Sequence, residues 1–384
     1  MIYTNMPLSA FDSTASIEDE INQKILSVSE DRLQGFIADP FREIAHLTNL
    51  PLALVLERIR LMFSAGTIRR IRLTLLANDL APGALVAWKI PESSLHEAFD
   101  FLFQKDPFSG HVVIRSTDPA AAGARYRLWS TLKVPQGFSI QTHCELLKNL
   151  IGAEDYKIMP AKGIFTLGVG HIRRKTILPG TKSPRAAVMH PIAIKTLSEK
   201  QWLVLKSLKE ELTLEEIEEG LWEKRASKIG MSSQEFFSIA KELEKIGILG
   251  RFSTFLEHVK PLYDGKKVTK FNALFHWAVP QGMEREAGGQ IGRFEILTHC
   301  YWREAGSEFK NVNIMAVAHG KEKGLLESHK KAIDEHLEAV GIPVSYTNIF
   351  WGGRSEIKPS EIFPEAYKEW LQKMGLDSSV ISNS

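Results

Sequence analysis

The chain has 384 residues, 44% of them hydrophobic and 24% charged, with a formal net charge of +2 at pH 7. That balance fits two to four domains with buried cores and excludes wholesale disorder, while the net charge alone says less about nucleic acid than its distribution does. Two cysteines, Cys144 and Cys300, are too few for a disulfide framework or a thiolate metal site, and no apolar run reaches the roughly 18 residues of a membrane span.

Ser16-Ile-Glu-Asp19 reads as a capping box that opens a helix with Ile17, Ile21 and Ile25 along one face. Pro40 begins a second, short helix. Leu52 to Phe63 forms a third, with Val55, Leu56, Ile59 and Met62 on its apolar side. Ala65-Gly66 stops it, and residues 67–75 read as a strand. Three helices and a β-wing predict a winged helix-turn-helix over 16–78. The rhythm then changes. A strand at 84–90, a helix at 92–104, strands at 110–115 and 125–134, a helix at 139–151 and a strand at 163–172 predict a βαββαβ, ferredoxin-like domain over 79–175. Residues 176–197, with Pro179-Gly180, Pro184 and Pro191, read as a linker.

Ser198-Glu-Lys-Gln201 is a second capping box. Helices at 198–210, 213–228 and 232–246, and a wing at 248–259, predict a second winged helix over 198–262. Strands at 272–280, 294–303, 311–319 and 344–352, a helix at 322–340 and a tail helix at 364–374 predict a second ferredoxin-like domain over 263–374. The halves also repeat in residue detail. Ala84, Leu85, Trp88 and Pro91 recur as Ala273, Leu274, Trp277 and Pro280, and His111 and Arg115 recur as His299 and Arg303. The fold class is therefore α+β, two tandem copies of one two-domain unit, with a pseudo-dimer inside the chain and room for a homo-oligomer.

This arrangement resembles the Lrp/AsnC class of regulators, and several segments resemble one branch of it, the siroheme decarboxylases of haem and haem d1 biosynthesis. They are Asp39-Pro-Phe-Arg-Glu-Ile-Ala45, Ala65-Gly-Thr-Ile-Arg-Arg70, His299-Cys-Tyr-Trp-Arg303, Tyr126-Arg-Leu-Trp129, Met159-Pro-Ala-Lys-Gly-Ile-Phe-Thr-Leu167 and Gly353-Arg-Ser-Glu-Ile-Lys358. The Cys-Tyr pair is missing at His111-Val-Val-Ile-Arg115, which puts the activity of the first half in doubt. The resemblance implies a cytoplasmic enzyme that removes CO₂ from acetate groups of an iron tetrapyrrole, that tetrapyrrole being substrate or ligand, with no separate cofactor and no metal site of its own.

Such a reaction needs guanidinium or ammonium groups for the carboxylates and an acid to protonate the carbon left by CO₂. His299, Tyr301 and Arg303 alternate onto one face of a strand, and His111 and Arg115 repeat the row without the phenol. His299, His111 and Tyr301 are the catalytic candidates. Arg303, Arg115, Arg354, Lys358, Arg125 and Arg173 are the candidates for holding carboxylates. A strand histidine is more often a satisfied surface residue, and Trp88 and Trp277 read as packing. A regulator that binds DNA, or a haem-binding protein without catalysis, is the competing reading. DNA is disfavoured because residues 199–250 carry more acidic than basic side chains and Leu52–Phe63 offers few polar groups to base edges.

Overall fold

The computed structural model describes residues 13–75, 80–81, 83–167, 177–192, 194–257 and 270–376. The first segment supplies α1 (Glu20–Ser29), β1 (Leu33–Gln34), α2 (Pro40–Thr48), α3 (Leu52–Ser64) and β2 (Ile68–Leu75). Asp19 rather than Ser16 caps α1, accepting from the Ile21 and Asn22 amides at 2.9 and 3.0 Å. Asn22 in turn donates to the Thr14 and Ser16 carbonyls, which holds that stretch outside the helix. Asp39 caps α2, with Pro40 in its first turn.

Next come β3 (Gly83–Lys89), α4 (Leu95–Gln104), β4 (Ser109–Ser116), β5 (Leu128–Lys133), α5 (Ile140–Leu150) and β6 (Asp155–Leu167), in the expected order. β6 begins well before the 163–172 strand read from sequence. Its Met-Pro-Ala-Lys-Gly run has weak strand propensity, yet the strand is paired along both edges and that pairing overrides composition. After a short β7 (His190–Pro191) follow α6 (Glu199–Lys209), α7 (Leu221–Lys228), α8 (Ser233–Lys245) and β8 (Leu249–Leu256). Ser198 and Gln201 form both halves of the capping box. The helix expected over 213–228 keeps only its end. Buried Arg225 donates to the Ser207, Glu210 and Glu211 carbonyls and to the Glu216 carboxylate, so residues 210–216 wrap around a guanidinium instead of coiling.

The last segment is β9 (Phe271–Ala278), α9 (Glu284–Gly292), β10 (Leu297–Arg303), β11 (Ile314–Gly320), α10 (Lys323–Ala339), β12 (Tyr346–Ile357) and α11 (Pro364–Lys373). α9 is absent from the sequence reading because three of its nine residues are glycine. Packing explains two of them. A Cβ on Gly288 would lie 2.1 Å from the Phe165 ring, and one on Gly292 2.9 Å from the Phe165 Cβ.

These elements form two compact units, each built from both halves of the repeat. In one, α1–α3 and α6–α8 surround a three-stranded sheet of order β1-β8-β2, in which the strand at each expected wing finds its partner in the other half. Trp222 Nε1 donates to the Ile37 carbonyl and the Phe36 amide donates to Glu244, which ties the two sets of helices together.

In the other unit, nine strands form one sheet of order β10-β11-β9-β12-β4-β5-β3-β6-β7, and β6 also pairs with β10, so the first eight close on themselves. Every pairing is antiparallel. Ala87, Val113, Trp129, Met159, Leu274, Met315 and Phe350 pack inside the closed sheet. Outside, α4 and α5 cover one half with help from Tyr367 and Trp370 of α11, and α9 and α10 cover the other. Trp88 and Trp277 belong to these outer layers and pack there as expected.

Candidate functional site

Alternation along the strands sorts the candidate residues. Val113 faces inward and Val112 and Ile114 outward, so His111 and Arg115 face inward. Cys300 lies in the outer layer, its Sγ 3.8 Å from the Gly288 carbonyl, so His299 and Tyr301 face inward too. Because neighbouring strands are antiparallel, β3, β4, β9 and β10 all run in one direction, and their first residues meet at one end of the closed sheet. His111 and His299 both lie near that end. The duplication has therefore placed two histidines and two arginines, five residues with Tyr301, inside one sheet.

Each is held by a distinct set of contacts. His111 Nε2 is 2.8 Å from Ser355 Oγ on β12. His299 Nδ1 is 3.0 Å from Thr298 Oγ1, and its ring stacks on Tyr301 with centroids 6.0 Å apart. Arg303 lies over the Tyr301 ring, 4.6 Å from its centroid, and donates to the Met159 carbonyl at 2.6 Å. Arg115 donates to Asn272 Oδ1 at 3.0 Å and to the Phe350 carbonyl at 3.4 Å. Neither guanidinium has a carboxylate partner among the described residues. Burial lowers Arg115 to about 9 and Arg303 to about 10. Two buried cations facing only neutral acceptors are costly, and an arriving carboxylate would offset that cost.

Other candidates fall elsewhere. Arg354 lies outside the sheet, paired with Asp100 and 4.1 Å from the Phe99 ring centroid. Lys358 donates to the Phe103 and Asp106 carbonyls and serves to hold β12 against α4. Arg125 is exposed, 3.6 Å from Glu154. These contacts account for all three without a ligand. Arg173 lies outside the described residues.

Sequence reasoning missed Asn272, His319, Ser355 and His276. Asn272 Nδ2 is 3.0 Å from His319 Nε2, which makes it the link between Arg115 and a third histidine. His276 is wholly buried, with neither ring nitrogen hydrogen-bonded, 4.9 Å from the Phe350 ring and 6.0 Å from the Trp129 ring. Desolvation, with a smaller push from Arg115, lowers its pKa to about 3. Alternation on β9 from Leu274 was the available signal for Asn272 and His276.

Residues 81–166 and 269–349 each match the family described as AsnC-like ligand binding domain, so the closed sheet is made by two such domains in one chain. Over 365 residues the chain is 23% identical to a siroheme decarboxylase of Hydrogenobacter thermophilus, covering 91% of this chain and 97% of that one. The likeness to that siroheme decarboxylase runs over nearly the full length of both chains, and this chain carries two AsnC-like ligand binding domains. A shorter stretch of 112 residues is 22% identical to the siroheme decarboxylase NirH subunit of Pseudomonas aeruginosa, 29% of this chain and 62% of that one. The crystal structure of the siroheme decarboxylase NirDL shares the fold, with a TM-score of 0.63 at 21% identity over 91% of this chain and 97% of that chain. The same protein in co-complex with iron-uroporphyrin III analogue gives 0.62 at 20% identity. Among the described residues no helix is long and apolar enough to cross a membrane.

Proposed function

We propose that this protein removes CO₂ from acetate side chains of an iron tetrapyrrole in haem or haem d1 biosynthesis. The observation that carries the reading is the pair of buried guanidiniums, Arg115 and Arg303, at equivalent positions of the repeat and without carboxylate partners among the described residues. A substrate bearing several carboxylates answers such a pair. Arg303 and Arg115 each hold one carboxylate of the substrate. His299, braced by Thr298 and Tyr301, supplies the proton to the carbon from which CO₂ leaves, and His111, braced by Ser355, repeats that role in the first half. A positioned acid of this kind is worth about 10²–10⁴ in rate. The iron is part of the substrate, and no further cofactor is called for.

The division into winged helices at 16–78 and 198–262 and ferredoxin-like domains at 79–175 and 263–374, joined by 176–197, belongs to this proposal, as do a cytoplasmic location, a pseudo-dimer within the chain and further oligomerisation. DNA is not part of it. Among the described residues the β2 and β8 strands are paired with each other rather than each within a wing hairpin of its own half. The deciding experiment is anaerobic incubation of the purified protein with siroheme, followed by mass spectrometry. Loss of one or two CO₂ is the expected result. Unchanged siroheme under reducing conditions, with the protein folded, overturns the reading.

A further inference from the structure

The inner face of the closed sheet carries a chain of polar contacts that the decarboxylation reading leaves without a role. Arg115 on β4, Gly352 on β12, Asn272 on β9 and His319 on β11 stand in one row, each the register partner of the next. Residues so paired share one face of a sheet. Gly352 has no side chain to stand between its neighbours, so Arg115 reaches across it to Asn272, Nη1 to Oδ1 at 3.0 Å. A Cβ on Gly352 would lie 3.1 Å from the Asn272 Cβ. The far end of the row meets β10 at a bulge, where the register shifts between Leu297 and His299 and leaves Thr298 as the extra residue. Thr298 is wholly buried, its hydroxyl oxygen 3.4 Å from His319 Nδ1, 3.0 Å from His299 Nδ1 and 3.1 Å from the Val317 carbonyl.

The direction of each proton follows from what each group can donate or accept. A guanidinium only donates, so Asn272 turns Oδ1 to Arg115 and its amide NH₂ to His319 Nε2, 3.0 Å away. That ring nitrogen must accept, which puts the His319 proton on Nδ1, where it is donated to Thr298 Oγ1. The Val317 carbonyl only accepts, so it takes the one hydroxyl proton of Thr298. His299 then meets a lone pair of that oxygen and donates to it from Nδ1. One arrangement satisfies every contact, and its direction is set by Arg115, a residue of the other half of the repeat.

We propose that Thr298, His319 and Asn272 are positioning residues for the acid: they hold His299 with a proton on Nδ1 and reserve Nε2 for proton exchange with the substrate. The role of the exchange rests on the decarboxylation reading. When the bond to CO₂ breaks, its electron pair stays on the carbon and takes the Nε2 proton of a His299 imidazolium. The ring left behind is neutral with its proton on Nδ1, the form that this chain of contacts stabilises. Solvent returns a proton to Nε2 before the next turnover. His111 is held by its other nitrogen, Nε2, against Ser355, so the two copies of the motif are wired differently.

The test is NMR of the full chain carrying nitrogen-labelled histidine, at about pH 8, above the ordinary histidine range. His299→Gln and His319→Gln assign the signals. Both rings should carry their proton on Nδ1. Thr298→Val should move the His299 proton to Nε2 and lower kcat for siroheme about tenfold or more with KM little changed, and Thr298→Ser should restore both. Asn272→Asp, whose carboxylate accepts where the amide donated, should move the His319 proton to Nε2. A wild-type His299 ring protonated on Nε2 overturns the proposal. So does an unchanged His299 signal in Thr298→Val, or an unchanged His319 signal in Asn272→Asp, in variants with the wild-type circular dichroism spectrum. Absent siroheme turnover with the protons placed as expected sinks the decarboxylase reading alone, and turnover with them on the other nitrogens sinks this one alone.

Discussion

His276 has a pH signature that its surroundings dictate. It has no hydrogen-bond partner, is wholly buried and titrates near pH 3, far below the ordinary 6.5. Below pH 6.5 the unfolded chain takes up a proton that the native state refuses until about pH 3. Stability contributed by keeping this ring neutral is therefore complete above 6.5 and falls as the pH drops through that window, by about 2 kcal/mol at pH 5. Urea unfolding at pH 7 and pH 5 should show that loss, and His276→Phe should remove it; equal pH dependence in both proteins would refute the assignment. At the rim, His299→Ala should reduce turnover by about 10²–10⁴ while siroheme still binds, because the ring acts in the transition state. Arg303→Ala should instead weaken binding, and a titration with siroheme separates the two effects. The inward row of His299, Tyr301 and Arg303 was legible in the sequence, because alternation on a strand is a local rule. Ser355 was not, and for His276 and Asn272 alternation gives the face of β9 but not the strand that lies opposite.

At the scale of single elements, α9 shows how tertiary contact sets composition. Its glycines weaken the helix, yet Gly288 admits the Phe165 ring so closely that a methyl group has no room. Gly288→Ala should cost about 1–3 kcal/mol despite the better helix propensity of alanine, and Phe165→Leu in the same chain should recover part of it. A thermal melt of the three variants checks this, and a stabilised Gly288→Ala would contradict the packing argument. The periodic elements, such as α3, α5, α8 and α10, were readable because each turns one apolar face to a core. Among those missed or misjudged are α9, the early part of β6 and the coil at 213–220. Each is fixed by a partner distant in sequence: Phe165 for α9, two flanking strands for β6, and Arg225 for the coil.

For the whole molecule, duplication alone predicted that the halves would associate. It did not show that the strands of both would share one closed sheet. Separately expressed halves should each expose two strand edges, β4 and β6 in the first and β10 and β12 in the second. Mixed, they should form a stable one-to-one complex, while each alone should self-associate; two well-behaved monomers in light scattering would argue against the closed sheet. Closure also governs how the chain comes off the ribosome. His111 on β4 pairs with Ile357 on β12, 246 residues further along the chain (357 − 111). The first half must therefore wait, with a sticky edge on either side, until β12 has been synthesised. Contacts so distant form slowly. A nascent chain stalled before β12 is consequently the form of this protein most in need of a chaperone, and the form in which neighbours on one messenger could exchange strands.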